Sequence, residues 1–177
     1  MPSFRISLSS SGYGNDGVLS SPAPTSQDAN ACGLGFGGCL LFGANKYVSI
    51  PDSDILSFTT GTSDKPFTIS LWAKFNVVSG DQWMLEKGGP GIAANEYKFV
   101  LQSGKINFQL RQSAPGRNAQ RDTITTVTAG TWYHIVGTYN GIGGDNPGAH
   151  TGMKAYINGK REDGSGLTEP GYVSMSN

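Results

Sequence analysis

The stretch from Gly130 to Asn140 constrains the fold more than any other part of the chain. In an extended strand, successive side chains point to opposite faces. The two alternating sets here are Trp132, His134, Val136 and Thr138 on one face and Tyr133, Ile135, Gly137 and Tyr139 on the other. Both sets are largely apolar or aromatic, which predicts a central strand that is covered on both sides.

A hairpin follows this strand in the sequence. Asn158 and Gly159 separate a strand-like run at residues 154–157 from another that begins at Lys160. Asn-Gly is a strong hairpin signal, because a type I′ turn needs positive φ at both central residues. Residues 141–151 are predicted to form a long, polar, glycine-rich loop before the hairpin.

Further strands are predicted from alternation of apolar and polar residues. Residues 67–75 alternate cleanly, and Trp72 on their second face predicts that this face is also covered. Residues 105–111 alternate in the same way after a tight Ser103-Gly104 turn. Shorter strands are predicted at residues 39–42, 47–50, 83–87, 97–101 and 123–127.

Turns and loops are predicted between these strands. A turn at Ala44-Asn45 is predicted to pair residues 39–42 with residues 47–50, and residues 114–120 are predicted to be a polar loop. No helix is predicted. Short strands with turn signals at intervals of about 8–12 residues indicate an all-β, antiparallel β-sandwich.

Composition limits the class of protein. The chain has 177 residues, 26 of them glycine, and only 15% charged residues, a composition typical of an all-β extracellular module. Net charge is zero and no basic run is present, which argues against a nucleic-acid partner. No apolar run approaches the roughly 20 residues of a membrane span, and the first eight residues lack the apolar region of a signal peptide.

The predicted domain organisation is a single domain over residues 1–177. Residues 1–38 contain Ser-, Gly- and Pro-rich stretches and are predicted to be an irregular arm on the surface. Residues 39–177 are predicted to form the sandwich.

Cys32 and Cys39 are separated by six residues, of which four are glycine. A local disulfide across a glycine-rich turn is the favoured interpretation, and two reduced cysteines are the alternative. Metal sites usually show more ligands at closer spacing, and a redox pair would read Cys-x-x-Cys.

Several segments together resemble the laminin-G-like, concanavalin A-like jelly-roll domains. They are residues 132–141 with 155–159, residues 41–52, residues 67–74 and Gly14-Asn-Asp-Gly-Val. The resemblance covers residues 12–161 and implies a jelly-roll sandwich. Relatives often hold one calcium ion, and the resemblance places Asn15 and Asp16 at that site. Asp145-Asn146 is a further candidate, and Asx turns without an ion are the alternative.

The family usually continues through two more strands after the hairpin, and these are not recognised in this chain. The resemblance therefore implies a truncated or divergent copy with an open sheet edge, whose unpaired N–H and C=O groups need partners. Residues 171–177 could pair as a substitute strand, or a second copy could pair across the edge to form a homodimer. The homodimer is the favoured expectation.

The sequence was searched for a pair of catalytic carboxylates. Glycoside hydrolases on this fold carry two glutamates in a Glu-x-Asp-x-x-Glu pattern, which places two carboxyl groups on one strand face. This chain lacks the pattern, so no catalytic residue is predicted. The acidic residues Glu86, Glu96, Glu162 and Asp163 are interpreted as solvated surface charges. His134 and His150 are interpreted as structural residues and not as bases.

A ligand site is predicted on residues 105–111. Asn107, Gln109 and Arg111 share one face of that strand, where amides and a guanidinium can meet sugar hydroxyl groups. Trp83 and Tyr97 are predicted to supply a ring that stacks on the sugar. A plain solvent-facing strand is the alternative.

The leading functional hypothesis is a non-catalytic recognition or adhesion module of an extracellular or surface protein. The expected ligand is a glycan or a protein, with a glycan favoured. A glycoside hydrolase or polysaccharide lyase on the same fold and a structural spacer domain are the alternatives.

Overall fold

The computed structural model describes residues 13–33, 37–88, 95–112 and 116–176. The chain divides into two compact units, Met1–Leu56 and Ser57–Asn177. The predicted boundary between arm and sandwich, after residue 38, therefore falls inside the N-terminal unit. None of the helices in the described part of the chain is both long and apolar enough to cross a membrane.

The N-terminal unit contains two small antiparallel sheets. Its elements are β1 (Val18–Leu19), β2 (Thr25–Gln27), α1 (Ala29–Cys32), β3 (Cys39–Leu41), β4 (Val48–Ser49) and a 3₁₀ turn at Asp54–Leu56. β1 pairs with β4, and β2 pairs with β3. The predicted pairing of β3 with β4 is therefore wrong, because each finds its partner in the segment that was predicted to be an irregular arm.

A short helix and the disulfide organise one end of this unit. The Asp28 side chain caps the helix by accepting from the Ala31 amide at 2.9 Å, and Gly33 ends it in the left-handed conformation. A four-residue helix is too short for its apolar periodicity to be read from sequence. The predicted disulfide is confirmed: Cys32 at the end of α1 is bonded to Cys39 at the start of β3.

The C-terminal unit is built from two larger antiparallel sheets. Its strands are β5 (Phe67–Lys74), β6 (Gln82–Lys87), β7 (Tyr97–Gln102), β8 (Lys105–Gln112), β9 (Arg117–Thr126), β10 (Trp132–Tyr139), β11 (Met153–Ile157), β12 (Lys160–Arg161) and β13 (Asp163–Thr168). One sheet has the order β12-β11-β10-β5 and the other has the order β13-β9-β8-β7-β6. The predicted antiparallel sandwich is confirmed.

Side chains of both sheets form one core. Phe67 of the four-stranded sheet packs edge-on against Phe108 of the five-stranded sheet, with ring centroids 5.8 Å apart. Phe99 and Phe108 stack at 4.8 Å and are both fully buried. Gly137 of β10 faces this stacked pair, and a Cβ atom on it would lie 2.4 Å from Phe99 Cζ. Only glycine leaves room for the pair at this position.

The outer face of the four-stranded sheet is only partly buried, whereas the sequence predicted a covered face. Trp72 is 46% exposed, and the outward side chains of β10 are half-buried. Side chains on this face also contact one another: Trp72 stacks on His134 with centroids 5.0 Å apart, and the Lys74 ammonium lies over the Trp132 ring. The aromatic residues on this outer face therefore led to the wrong prediction that the face is covered. The central position of β10, between β5 and β11, is confirmed.

Two strands of the five-stranded sheet differ from the prediction. β9 begins at Arg117, so part of the predicted polar loop at residues 114–120 is strand. β13 follows the hairpin directly and pairs with β9. The Asn158-Gly159 turn itself is confirmed, with φ of 51° and 79°.

Asp64 joins three distant segments through what we term the carboxylate clamp, formed with Tyr139, Tyr172 and Met175. The carboxylate accepts from the Tyr139 hydroxyl at 2.8 Å, the Tyr172 hydroxyl at 3.1 Å and the Met175 amide at 2.7 Å. Tyr172 and Met175 are buried. The tail after β13 thus folds back as irregular chain and not as the substitute strand considered above; the homodimer stays a prediction.

The clamp predicts an unusual pH dependence. Burial raises the pKa of the Asp64 carboxyl, although its three hydrogen bonds act in the opposite direction. A raised native pKa stabilises the fold fully below the unfolded-state value of about 4, and this contribution is lost as pH rises through the native pKa. The difference between the unfolding free energies of the wild type and Asp64→Asn should therefore fall as pH rises from about 4 to the native pKa of Asp64. Urea unfolding at a series of pH values measures this difference. A constant difference would contradict the raised pKa.

Candidate functional site

One face of the five-stranded sheet is lined with polar groups, whereas the other face packs into the core. Register places Lys98 directly opposite Gln109, and Gln109 directly opposite Gln120. We term this surface the polar face. Its members are Trp83, Lys98, Asn107, Gln109, Arg111, Asn118, Gln120 and Asp122. Neighbouring strands are about 4.8 Å apart, so these groups extend across four strands, with the buried Val100 between Trp83 and Asn107.

Two amide oxygens at the centre of the polar face are buried and receive no hydrogen bond. Asn107 is 1% exposed and Gln109 is 6% exposed, yet neither Asn107 Oδ1 nor Gln109 Oε1 has a donor. The Asn107 amide nitrogen donates to the Asp122 carboxylate, which fixes the orientation of the group and directs its oxygen away from Asp122. Buried acceptors without a donor are rare and costly, which indicates a place for an external donor.

Two cations flank these amides. The Lys98 ammonium lies 5.6 Å from the centre of the Trp83 ring, which is 55% exposed. Burial, together with the positive charge of Arg111, lowers the pKa of Lys98, and Glu86 and Asp81 oppose this shift. Within the described residues, neither Lys98 nor Arg111 belongs to an ion pair.

The structure separates the predicted ligand residues into two groups. Asn107, Gln109, Arg111 and Trp83 lie together on the polar face. The prediction for Tyr97 is wrong. This residue is 5% exposed and faces the core, where its ring lies 5.1 Å from that of Phe67. It therefore cannot stack on a bound sugar. The predicted exposure of Asn107 and Gln109 is also wrong, because both are buried.

Sequence reasoning missed Lys98 and the polar side chains of β9, which are Asn118, Gln120 and Asp122. The signal on β9 was masked because its inward face also carries a polar residue, Arg121. Its guanidinium donates to the carbonyls of His150 at 2.6 Å and Gly164 at 3.1 Å. Polar residues on both faces remove the alternation that identifies a strand.

Two carboxylates predicted to be solvated are buried. Glu96 is 3% exposed, pairs with Lys87 at 2.7 Å and accepts from the Ser57 hydroxyl. Glu162 is 4% exposed and accepts from the backbone and hydroxyl of Thr125. These contacts replace hydration, so the interpretation of Glu96 and Glu162 as solvated charges is wrong.

Asp163 is also engaged in the fold. It accepts from the Ala155 amide at 2.8 Å and pairs with Arg161. Glu86 lies opposite Lys98 at the edge of the polar face.

Both histidines form hydrogen bonds with a hydroxyl group. His134 Nε2 lies 2.8 Å from Ser70 Oγ, and His150 Nδ1 lies 2.9 Å from Thr168 Oγ1. Burial lowers the pKa of His150, and the nearby Arg121 adds to this effect.

The predicted calcium residues lie in the N-terminal unit. Asp16 is exposed, Asn15 is half-buried, and the Asp16 amide donates to the Gly14 carbonyl at 2.9 Å. Across residues 13–33, 37–88, 95–112 and 116–176, no group of three or more His, Cys, Asp or Glu side chains could hold a metal ion. Asp145 is committed elsewhere, because its carboxylate accepts from the Gly171 amide. Calcium binding stays a prediction based on the resemblance.

Comparison with known families supports the fold. The Laminin_G_3 family, described as the concanavalin A-like lectin/glucanases superfamily, matches residues 42–175. The match covers the whole of the five- and four-stranded sheets and begins after Asn15 and Asp16. No curated protein and no solved structure matches the chain.

Proposed function

The chain belongs to the concanavalin A-like lectin/glucanases superfamily, and from that premise we propose that it is a non-catalytic carbohydrate-binding module that holds its ligand on the polar face. The observation that carries this proposal is the pair of buried amide oxygens of Asn107 and Gln109, which lack donors. A sugar presents many hydroxyl groups, each of which can donate one hydrogen bond. Trp83, which is half-exposed at the edge of the same face, supplies an aromatic surface for the apolar side of a sugar ring.

Access to the two oxygens requires a local rearrangement. Gln109 is flanked by Lys98 on β7 and Gln120 on β9, and both are long, half-buried side chains. A ligand reaches Gln109 when these side chains move aside. Such rotamer changes are common at binding surfaces and leave the backbone in place.

The spacing of carboxylates supports binding without catalysis. Glu86 on β6 and Asp122 on β9 are three strand spacings apart, or about 14 Å. Glu169 lies beside Asn118, about 13 Å along the sheet from Asp122. Glycosidases hold their two carboxyl groups about 5–9.5 Å apart.

The proposed setting is extracellular or on a surface. A disulfide such as Cys32–Cys39 persists in oxidising compartments and is rare in the cytosol. The proposed partner is a glycan of another molecule or of a surface polymer.

Gln109→Met tests the proposal because it separates binding from folding. Methionine matches the shape of glutamine but removes the unpaired amide, so the melting temperature should stay equal or rise. Binding to a glycan identified on an array should weaken about tenfold when measured by calorimetry, since one hydrogen bond is lost. The matched control is Gln102→Met, an exposed residue about 13 Å along the sheet from Gln109.

The control should bind like the wild type. Unchanged affinity of Gln109→Met would place the ligand elsewhere, and an array without any bound glycan would overturn the proposed function. Release of reducing ends from a bound polysaccharide would instead favour the glycoside hydrolase alternative.

A further inference from the structure

The charges on the polar face point to a particular class of glycan. Lys98 lies opposite Gln109, and Arg111 lies two residues further along β8 on the same face. Diagonal neighbours of this kind in adjacent strands are about 7–8 Å apart. Two cationic residues therefore neighbour Gln109 on this face, Lys98 on the adjacent strand and Arg111 on the same strand.

Neither cation forms a direct ion pair with a carboxylate of the described residues. In the described part of the chain the ion pairs join Lys87 to Glu96, Lys160 to Glu162 and Arg161 to Asp163. Asp122, the acidic member of the polar face, is bonded to Asn107. Glu86 lies opposite Lys98, but the ammonium group is found over the Trp83 ring.

This arrangement holds like charges close together in a partly buried setting. Burial is the main cause of the lowered pKa of Lys98, the charge of Arg111 adds to it, and Glu86 and Asp81 act in the opposite direction. An anion between the two groups would relieve the repulsion and form charge-assisted hydrogen bonds with both.

We propose that the ligand on the polar face is an anionic glycan, whose acidic group lies between Lys98 and Arg111 while its hydroxyl groups donate to Asn107 and Gln109. The inference rests on the proposed function and narrows it. A neutral sugar could satisfy the amide oxygens but would leave both cations without a direct ion pair. A free anion could neutralise the cations but would bring no donor to the amides.

The test compares acidic polysaccharides with their own neutral forms on the wild-type protein. Polygalacturonate and alginate are measured against their carboxyl-reduced products, and dextran sulfate against unsulfated dextran, by calorimetry at low and moderate salt. We expect at least tenfold tighter binding to an acidic polymer than to its neutral form, with affinity falling as salt screens the charges. The carboxyl and sulfate series show which acidic group the site accepts.

Two variants assign the effect to the polar face. Lys98→Met and Arg111→Met should each reduce affinity for the acidic polymer at least tenfold and bring it close to that for the neutral form. Lys154→Met is the matched control, because Lys154 is exposed on the other sheet and should bind like the wild type. Thermal unfolding of each variant checks that the fold is retained.

The outcomes separate this inference from the proposed function. If neutral polymers bind as tightly as acidic ones, or if both variants keep full affinity for the acidic polymer, the anionic inference is overturned and glycan binding stands. If no glycan binds, acidic or neutral, both are overturned.

Discussion

Replacing Asp64 with alanine is expected to lower the free energy of unfolding by about 3–5 kcal/mol, a large fraction of the roughly 5–15 kcal/mol by which domains are stable. The substitution leaves three buried donors without an acceptor: two tyrosine hydroxyl groups and the Met175 amide. Each unpaired buried group costs about 1–3 kcal/mol, and removal of a buried charge offsets part of the sum.

Urea unfolding at neutral pH measures this effect. Asp81→Ala is the matched control, since Asp81 is exposed and accepts from the Gln102 amide on the surface; its cost should stay below about 0.5 kcal/mol. Equal costs for the two variants would mean that the clamp contributes no more than a surface hydrogen bond. Asp64→Asn should fall between the wild type and Asp64→Ala, because it retains one acceptor oxygen.

Gly137→Ala is expected to cost about 3 kcal/mol, although alanine is usually the better residue in a strand. The added methyl group would lie 2.4 Å from Phe99 Cζ and 3.0 Å from Phe108 Cδ1. Both rings are fully buried and stacked on each other, so neither can move without disturbing the other. Gly43→Ala is the control, because its nearest neighbour is the Lys46 side chain at 3.7 Å.

A compensating substitution identifies the cause. Phe99→Leu removes the atom that the new methyl group meets. The double variant should therefore be more stable than the sum of the two single costs predicts. Additive costs in thermal or urea unfolding would show that Gly137 matters for its backbone and not for its size.

Sequence predicted those parts of the fold in which a local rule decides the conformation. β5 and β8 were recognised because apolar and polar residues alternate along them, and β10 because both of its faces are largely apolar or aromatic. The Asn158-Gly159 turn was recognised because its backbone requires positive φ. The disulfide followed from glycine-rich spacing of two cysteines.

Long-range partners were beyond these rules. β3 and β4 lie next to each other in sequence, yet each pairs with a strand nearer the N-terminus, and nothing in their own residues marks that choice. The tail around Tyr172 has no periodic pattern, so neither its burial nor its hydrogen bond to Asp64 could be predicted from sequence.

For the candidate site, the sequence predicted which residues share a face but not which of them are buried. Asn107, Gln109 and Arg111 share a face by period alone, so their grouping was accessible. Their burial was not, because an amide on a solvent-facing strand and a buried amide have the same pattern in sequence. Tyr97 could have been placed correctly, since it shares the period of the core residue Phe99.

The carboxylate clamp also has a kinetic consequence. Its hydrogen bonds join Asp64 to residues 75, 108 and 111 positions away, so each requires closure of a long loop. Because loop closure precedes such contacts, we expect the clamp to form late, after the rate-limiting step of folding. A contact absent from the transition state slows unfolding and leaves the folding rate nearly unchanged. We therefore expect the clamp to determine the unfolding rate, and so the lifetime of the folded molecule, and to leave the folding rate nearly unaffected.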